Sequence, residues 1–142
     1  MSNAPRDLYD FEGNWTLERK IEDRLAGRSG QLIGSVALSR DDEGLVFRET
    51  GEMTFPGQPP LTASRVYLWR RGRGGAVNVF FENGAPFHDF TLARTMPEAS
   101  HFCDPDMYNV TYNLTRWPMW TSDWRVVGPR KNYRLLSSYS RS

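Results

Sequence analysis

The chain has 142 residues, of which 39% are hydrophobic and 25% are charged, and 18 basic against 17 acidic side chains give a formal net charge of +1. This balance excludes the strongly basic footprint of a nucleic-acid-binding protein, so we expect no nucleic-acid partner. The length is typical of one domain, and we expect residues 1–142 to fold as a single domain without a disulfide or a metal ion.

Alternation of apolar and polar residues divides the chain into ten short segments, most of them closed by Gly, Pro, Asn or Asp. In the first segment, Trp15 and every second residue as far as Ile21 share one face, and this face includes Arg19. Asn83-Gly84 is the strongest hairpin signal, because both residues tolerate the positive φ of a tight turn. The predicted strands are 14–21, 31–39, 45–54, 61–70, 76–81, 87–93, 100–103, 108–115, 121–127 and 133–139.

Helical signals are scarce in this sequence. No dozen residues hold a 3.6-residue period, and only 4–9 or 23–27 are predicted to form a brief helical turn. Successive strands joined by short turns favour an all-β fold, an antiparallel up-and-down barrel of about 8–10 strands, because closure removes exposed edges. An orthogonal sandwich of the same strands is the alternative.

The cysteine content and the lengths of the apolar runs together favour one cellular compartment. Cys103 is the single cysteine, so no internal disulfide can form, which favours a reducing environment. The first twenty residues lack the apolar run of a signal peptide, and no run approaches the 18 or so residues of a membrane-spanning helix. We therefore expect a cytoplasmic protein with no membrane partner, and the sequence predicts no oligomeric state.

Two similarities to known families support a barrel. Gly13-Asn14-Trp15 resembles the Gly-x-Trp opening of lipocalins and related calycins, in which the Trp plugs the barrel floor and an Arg often stacks on it. A second similarity is carried by 13–19 (GNWTLER), 47–51 (FRETG), 65–69 (RVYLW), 87–88 (FH), 101–108 (HFCDPDMY) and 124–133 (WRVVGPRKNY). These segments resemble a bacterial family, domain of unknown function 6314. The resemblance implies a calycin-like barrel, similar to lipocalins and fatty-acid-binding proteins, and no defined activity.

Several charged residues fall on the predicted inner faces. Alternation places Arg19 with Trp15, Glu49 with Phe47, and Arg65 with Tyr67. A charge inside a barrel costs several kcal/mol unless it is paired or hydrated. These positions therefore predict either an internal ion-pair network that closes the barrel or a polar pocket.

Two histidines and a tyrosine add a candidate site. We expect His88, His101 and Tyr108 to lie on adjacent strands and to face one interior space, together with at least one of the inward charges. Such a group could bind a small anion, a metal or haem iron, or simply be satisfied histidines. The spacing His101-x-Cys103 is not a zinc spacing, so we assign no metal ligands and leave the cofactor open.

Three functions remain open at this point. In the first, the barrel binds a small amphipathic or anionic molecule, with its apolar part among aromatic residues such as Tyr67 and its anionic end near Arg19, Arg65 or Arg130. In the second, a small-barrel enzyme acts on an acid or a phenol, with His88, Tyr108 and Glu49 as candidate acids or bases. In the third, a filled barrel acts through its surface. Arg130 follows Gly128-Pro129, and this loop either faces a ligand at the barrel mouth or only turns the chain.

Overall fold

Ten antiparallel strands make up most of the computed structural model, which describes residues 4–142. Residues 1–3 of the expected domain lie outside the described range. All ten strands predicted from alternation are present, and their ends differ from the prediction by at most three residues. The strands are β1 Gly13–Asp23, β2 Arg28–Arg40, β3 Gly44–Thr54, β4 Leu61–Arg71, β5 Ala76–Phe81, β6 Pro86–Thr91, β7 Glu98–Cys103, β8 Asp106–Asn113, β9 Trp120–Gly128 and β10 Lys131–Arg141.

The strands form one curved sheet with an up-and-down order, as predicted. Each strand pairs with the next one along the chain except at β6 and β7, and β10 pairs with β1, so the sheet runs from β6 through β1 and β10 to β7. The two end strands lie side by side, but among residues 4–142 no backbone ladder joins them. The result is a nearly closed calycin-like barrel with one seam, between β6 and β7, and not an orthogonal sandwich.

Helix is as minor as predicted, but its position differs. The predicted turn at 4–9 is displaced to a 3₁₀ helix at Leu8–Phe11, and residues 24–27 form only a turn between β1 and β2. The displacement follows from the cap, because the side chain of Asp7 accepts a hydrogen bond from the backbone N–H of Tyr9 at 3.2 Å. None of the helices within residues 4–142 has the length and apolar character needed to cross a membrane.

One end of the barrel is sealed by this helix and by Trp15, and we call it the closed end. Trp15 is fully buried, as predicted, and its Nε1–H donates to the backbone oxygen of Phe11 at 2.9 Å. The guanidinium of Arg141 lies 4.0 Å from the centroid of the Trp15 ring. The stacked arginine is thus contributed by the last strand, whereas Arg19 lies further along β1.

Candidate functional site

A cavity of about 420 Å³ lies inside the barrel, above the closed end. Its wall is mainly aromatic, and Phe47, Tyr67, Trp69, Phe87, Trp120 and Trp124 are among the rings that line it. Seven of the eight residues predicted to bind a ligand also line it, namely Arg19, Glu49, Arg65, Tyr67, His88, His101 and Tyr108. Alternation along separate strands therefore brought distant residues to one interior space, because every second side chain points inward.

Two of the inward charges form a buried ion pair. Arg19 donates from Nη2 to Glu49 Oε1 at 2.7 Å and from Nη1 to Glu49 Oε2 at 2.9 Å, while its Nε donates to Ser137 Oγ at 2.7 Å. Burial lowers the pKa of Arg19, but the hydrogen bond and charge of Glu49 and the contribution of Tyr139 together outweigh it, and the pKa lies above its ordinary value. The opposite charges of this ion pair offset each other inside the wall.

Arg65 lies on the inner face that its alternation predicts, but at a solvent-exposed part of the cavity wall. Its backbone pairs with that of Glu49 across β3 and β4, but its side chain is 48% exposed, and Nε lies 4.0 Å from Glu49 Oε2. Burial raises the pKa of the Tyr67 phenol, and the charge of Arg65 opposes the rise. Arg65 thus lies at the solvent-exposed part of the cavity wall, the mouth, together with Cys103.

His88 makes one hydrogen bond and retains one unused ring nitrogen. Its Nε2 lies 2.8 Å from the hydroxyl of Tyr112. Burial, and after it the charge of His101, lower the pKa of His88 to about 3, so the ring is neutral at pH 7. Within residues 4–142, His88 Nδ1 and Trp120 Nε1 are buried without a hydrogen-bond partner. Each unsatisfied buried group costs about 1–3 kcal/mol.

The two histidines lie on opposite sides of the seam, which corrects one prediction. His101 pairs with Tyr108 across β7 and β8, as expected, but His88 is on β6, at the other end of the sheet. Side chains bridge the gap instead: the ring of Phe87 packs perpendicular to that of His101 at 5.3 Å. The bond between His88 and Tyr112 likewise links β6 to β8. The three predicted residues therefore line one cavity without lying on consecutive paired strands.

Arg130 does not line the cavity, contrary to the prediction. It lies exposed in the two-residue turn between β9 and β10. In a tight turn the side-chain direction is set by turn geometry and not by strand alternation, and here it points to solvent. The neighbouring cation is also engaged outside the cavity, because Lys131 Nζ lies 3.0 Å from Asp106 Oδ2.

Sequence reasoning missed several residues of this wall. Tyr112 lies on the same inner face of its strand as Tyr108, so the alternation of this segment could have identified it as a cavity residue. Trp120 lies one residue before the predicted start of its strand. Ser137 does not line the cavity itself, but it accepts a hydrogen bond from Arg19 Nε and is a small polar residue on an inward phase. The hydrogen bonds of Tyr112 and Ser137 and the stacking of Arg141 depend on closure of the barrel, which no local pattern reports.

The geometry disfavours acid–base chemistry by His88 and Glu49, two of the three residues considered for it. A histidine with a pKa of about 3 is a weak base at neutral pH. Both oxygens of Glu49 accept hydrogen bonds from Arg19, so the carboxylate is engaged in the wall and not directed at a substrate proton. Within residues 4–142, no three His, Cys, Asp or Glu side chains lie close enough to hold a metal ion together. What the arrangement offers is a shaped, mostly apolar space with a cation at its mouth.

Comparisons with known proteins agree with this architecture. The sequence profile of a family of unknown function (DUF6314) matches residues 11–141. The solved structure of an S-type phycobiliprotein lyase from Guillardia theta is similar to the chain with a TM-score of 0.62 and 12% sequence identity. The similarity covers 94% of this chain and 90% of the lyase, and at this identity it shows the fold alone. No curated protein sequence matches the chain.

Proposed function

This chain belongs to a family of unknown function, DUF6314, so its activity has to be inferred from its own cavity, and we propose that it binds a small amphipathic anion inside the barrel. One observation carries the proposal: an aromatic cavity of about 420 Å³ has a half-exposed guanidinium, that of Arg65, at its mouth. A mostly apolar concave site with a few convergent polar groups is the usual form of a small-molecule site.

The charges of the wall favour a ligand with one negative charge. Two guanidinium groups, Arg19 and Arg65, and one carboxylate, Glu49, line the cavity. Because Glu49 is bound through both oxygens to Arg19, those two charges offset each other. Arg65 has only a 4.0 Å contact with the same carboxylate. Among the described residues that line the cavity, Arg65 therefore has the charge that is available to a carboxylate or sulfonate, for which a guanidinium is the best-shaped donor.

The apolar part of the wall favours a flat ring system. Phe87 stacks on Trp124 with ring centroids 5.0 Å apart and planes at 9°, and on Phe81 at 4.5 Å and 24°. Tyr67 stacks on the same Phe87 ring at 5.5 Å and 26°. Aromatic faces gain most from other aromatic groups in offset or edge contact. The similar fold of a phycobiliprotein lyase supports a barrel that serves a small molecule.

Two dyes of similar size test the proposal, because they differ in charge. 8-Anilinonaphthalene-1-sulfonate is an aromatic monoanion, and N-phenyl-1-naphthylamine is its uncharged counterpart. We expect the sulfonate to bind the wild-type chain with a rise in dye fluorescence and a quenching of tryptophan emission, since three Trp residues line the cavity. Arg65→Gln should weaken sulfonate binding about tenfold, the effect of losing one charge-assisted contact. Its affinity for the neutral dye should change less than twofold.

Arg48→Gln provides the matched control. Arg48 precedes Glu49 on β3 and faces solvent, so this variant loses the same charge outside the barrel. It should bind both dyes as the wild type does. Equal weakening in Arg48→Gln and Arg65→Gln would mean that the sulfonate binds the outer surface, and the absence of sulfonate binding to the wild type would refute the proposal.

A further inference from the structure

Two buried nitrogen atoms in the cavity wall have no hydrogen-bond partner within residues 4–142. They are Nδ1 of His88 and Nε1 of Trp120, and both side chains line the cavity. Folded proteins pair nearly all buried polar atoms, so each exception calls for a physical reason. A molecule bound in this cavity would supply partners to both nitrogens and would therefore explain both exceptions.

The positions of these residues show where in the cavity the partners lie. In the sheet, His88 pairs with Val79 and Val79 pairs with Trp69, whose ring centroid is 6.1 Å from that of Trp120. Arg65 precedes Trp69 by four residues on β4, which is roughly 13 Å along a strand. The residues with unpaired nitrogens therefore lie toward the closed end, well away from the guanidinium at the mouth.

The side chains toward the closed end of the cavity, which we call its inner end, favour a ligand with an uncharged oxygen atom there. Trp120 Nε1–H is only a donor, so its partner is an acceptor. His88 is neutral at pH 7, because burial lowers its pKa to about 3. The guanidinium of Arg19 is already bound to Glu49, so it does not balance a second negative charge. A hydroxyl or a carbonyl satisfies the nitrogens without adding a charge.

We infer that the ligand carries a hydroxyl or carbonyl oxygen at the end opposite its negative charge, and that Trp120 and His88 select this oxygen. The inference rests on the proposed function, since it requires the anionic end to lie at Arg65. A hydroxyl can accept from Trp120 Nε1 and donate to His88 Nδ1. A carbonyl can accept from both nitrogens when the hydroxyl of Tyr112 donates to His88 Nε2. The ligand class is therefore a hydroxy- or oxo-substituted aromatic acid.

Two naphthoic acids that differ by one hydroxyl test the inference. In 6-hydroxy-2-naphthoic acid the hydroxyl lies at the opposite end of the rings from the carboxylate, and 2-naphthoic acid lacks it. In calorimetric titrations of the wild-type chain, we expect the hydroxy acid to bind about five- to tenfold more tightly, as one net hydrogen bond provides. Trp120→Phe removes Nε1 and keeps an aromatic ring, so the affinity ratio should fall toward one, with His88 Nδ1 as the remaining partner of the hydroxyl. The matched Trp124→Phe should lower both affinities and preserve the ratio.

The outcomes separate this inference from the proposed function. Equal affinities of the wild type for the two acids, or an unchanged ratio in Trp120→Phe, would overturn the inference and leave an anion-binding barrel intact. If neither acid nor 8-anilinonaphthalene-1-sulfonate binds, the proposed function fails. The indole ¹⁵N–¹H resonance of Trp120 in the wild type is a second measurement. The hydroxy acid should shift it differently from 2-naphthoic acid, and identical shifts would count against the inference.

Discussion

The closed end and the mouth of the barrel use the same side-chain types in different ways. At the closed end, Trp15 donates to the backbone oxygen of Phe11, and Arg141 covers the Trp15 ring at 4.0 Å. At the mouth, Arg65 is half-exposed and has only a 4.0 Å contact with Glu49. The polar atoms at the closed end are thus engaged in contacts that hold the fold together. In the cavity wall, by contrast, some polar atoms have no hydrogen-bond partner among residues 4–142.

This difference indicates which residues are available for binding. Arg141 donates to the backbone oxygens of Glu12 and Asp10, each at 2.6 Å, so its charge and its donors are engaged in structure. In the cavity, His88 and Trp120 each have one nitrogen that finds no partner among residues 4–142. Since an unpaired buried polar group destabilises the fold, residues that keep one are better candidates for ligand contacts than residues whose bonds are complete.

The largest expected effect tests the closed end. Trp15→Ala should lower the free energy of unfolding by about 3–5 kcal/mol, because it leaves a large cavity in fully packed surroundings. Urea unfolding followed by circular dichroism measures the change. Trp124→Ala is the matched substitution in the cavity wall, where the side chain is only partly buried, and it should cost about 1–2 kcal/mol. Equal losses would remove the distinction between a structural end and a binding wall.

The next effect tests whether the buried ion pair is structural. Glu49→Gln should lower the free energy of unfolding by about 3 kcal/mol, because it leaves the guanidinium of Arg19 buried without its counter-charge. The double variant Arg19→Met, Glu49→Met should come within about 1 kcal/mol of the wild type, since it removes both charges together. A double variant as unstable as Glu49→Gln would show that the charges do more than offset each other.

The smallest effect tests the cavity through pH. The pKa of His88 is lowered by burial to about 3 in the folded chain, against about 6.5 when unfolded. Below pH 6.5 the unfolded chain therefore binds a proton that the folded chain excludes, and stability falls until about pH 3. At pH 4.5 the wild type should have lost about 2–3 kcal/mol relative to His88→Gln, which does not titrate.

Urea unfolding of both chains at pH 7.5 and pH 4.5 gives this difference. The comparison between the two chains cancels the contributions of the carboxylates that both retain. Above pH 7 the stability difference between the chains should be constant. The same stability difference at both pH values would mean that His88 takes up a proton in the folded chain as readily as in the unfolded chain. The burial of His88 away from water would then be wrong.

The strands and their inner faces were largely predictable from the sequence. Alternation reported correctly that Arg19, Glu49 and Tyr67 face inward, because successive side chains in a strand point to opposite faces. Alternation gave no information on Arg130, whose suggested place at the barrel mouth rested on its loop, and the residue lies exposed in a turn. Alternation also could not predict that Arg65 is half-exposed, since it gives the face of the sheet and not the depth in the barrel.

The sequence by itself determined the ten strands, their up-and-down order and the burial of Trp15, because these depend on periods of two and on turns between neighbouring segments. The tertiary structure alone decided which polar atoms find partners. Arg19 meets Glu49 across 30 positions of the chain and Ser137 across 118, whereas Trp120 Nε1 meets none of the described residues. Such contacts depend on strand register and on closure of β10 against β1, which are properties of the whole barrel and leave no local signal.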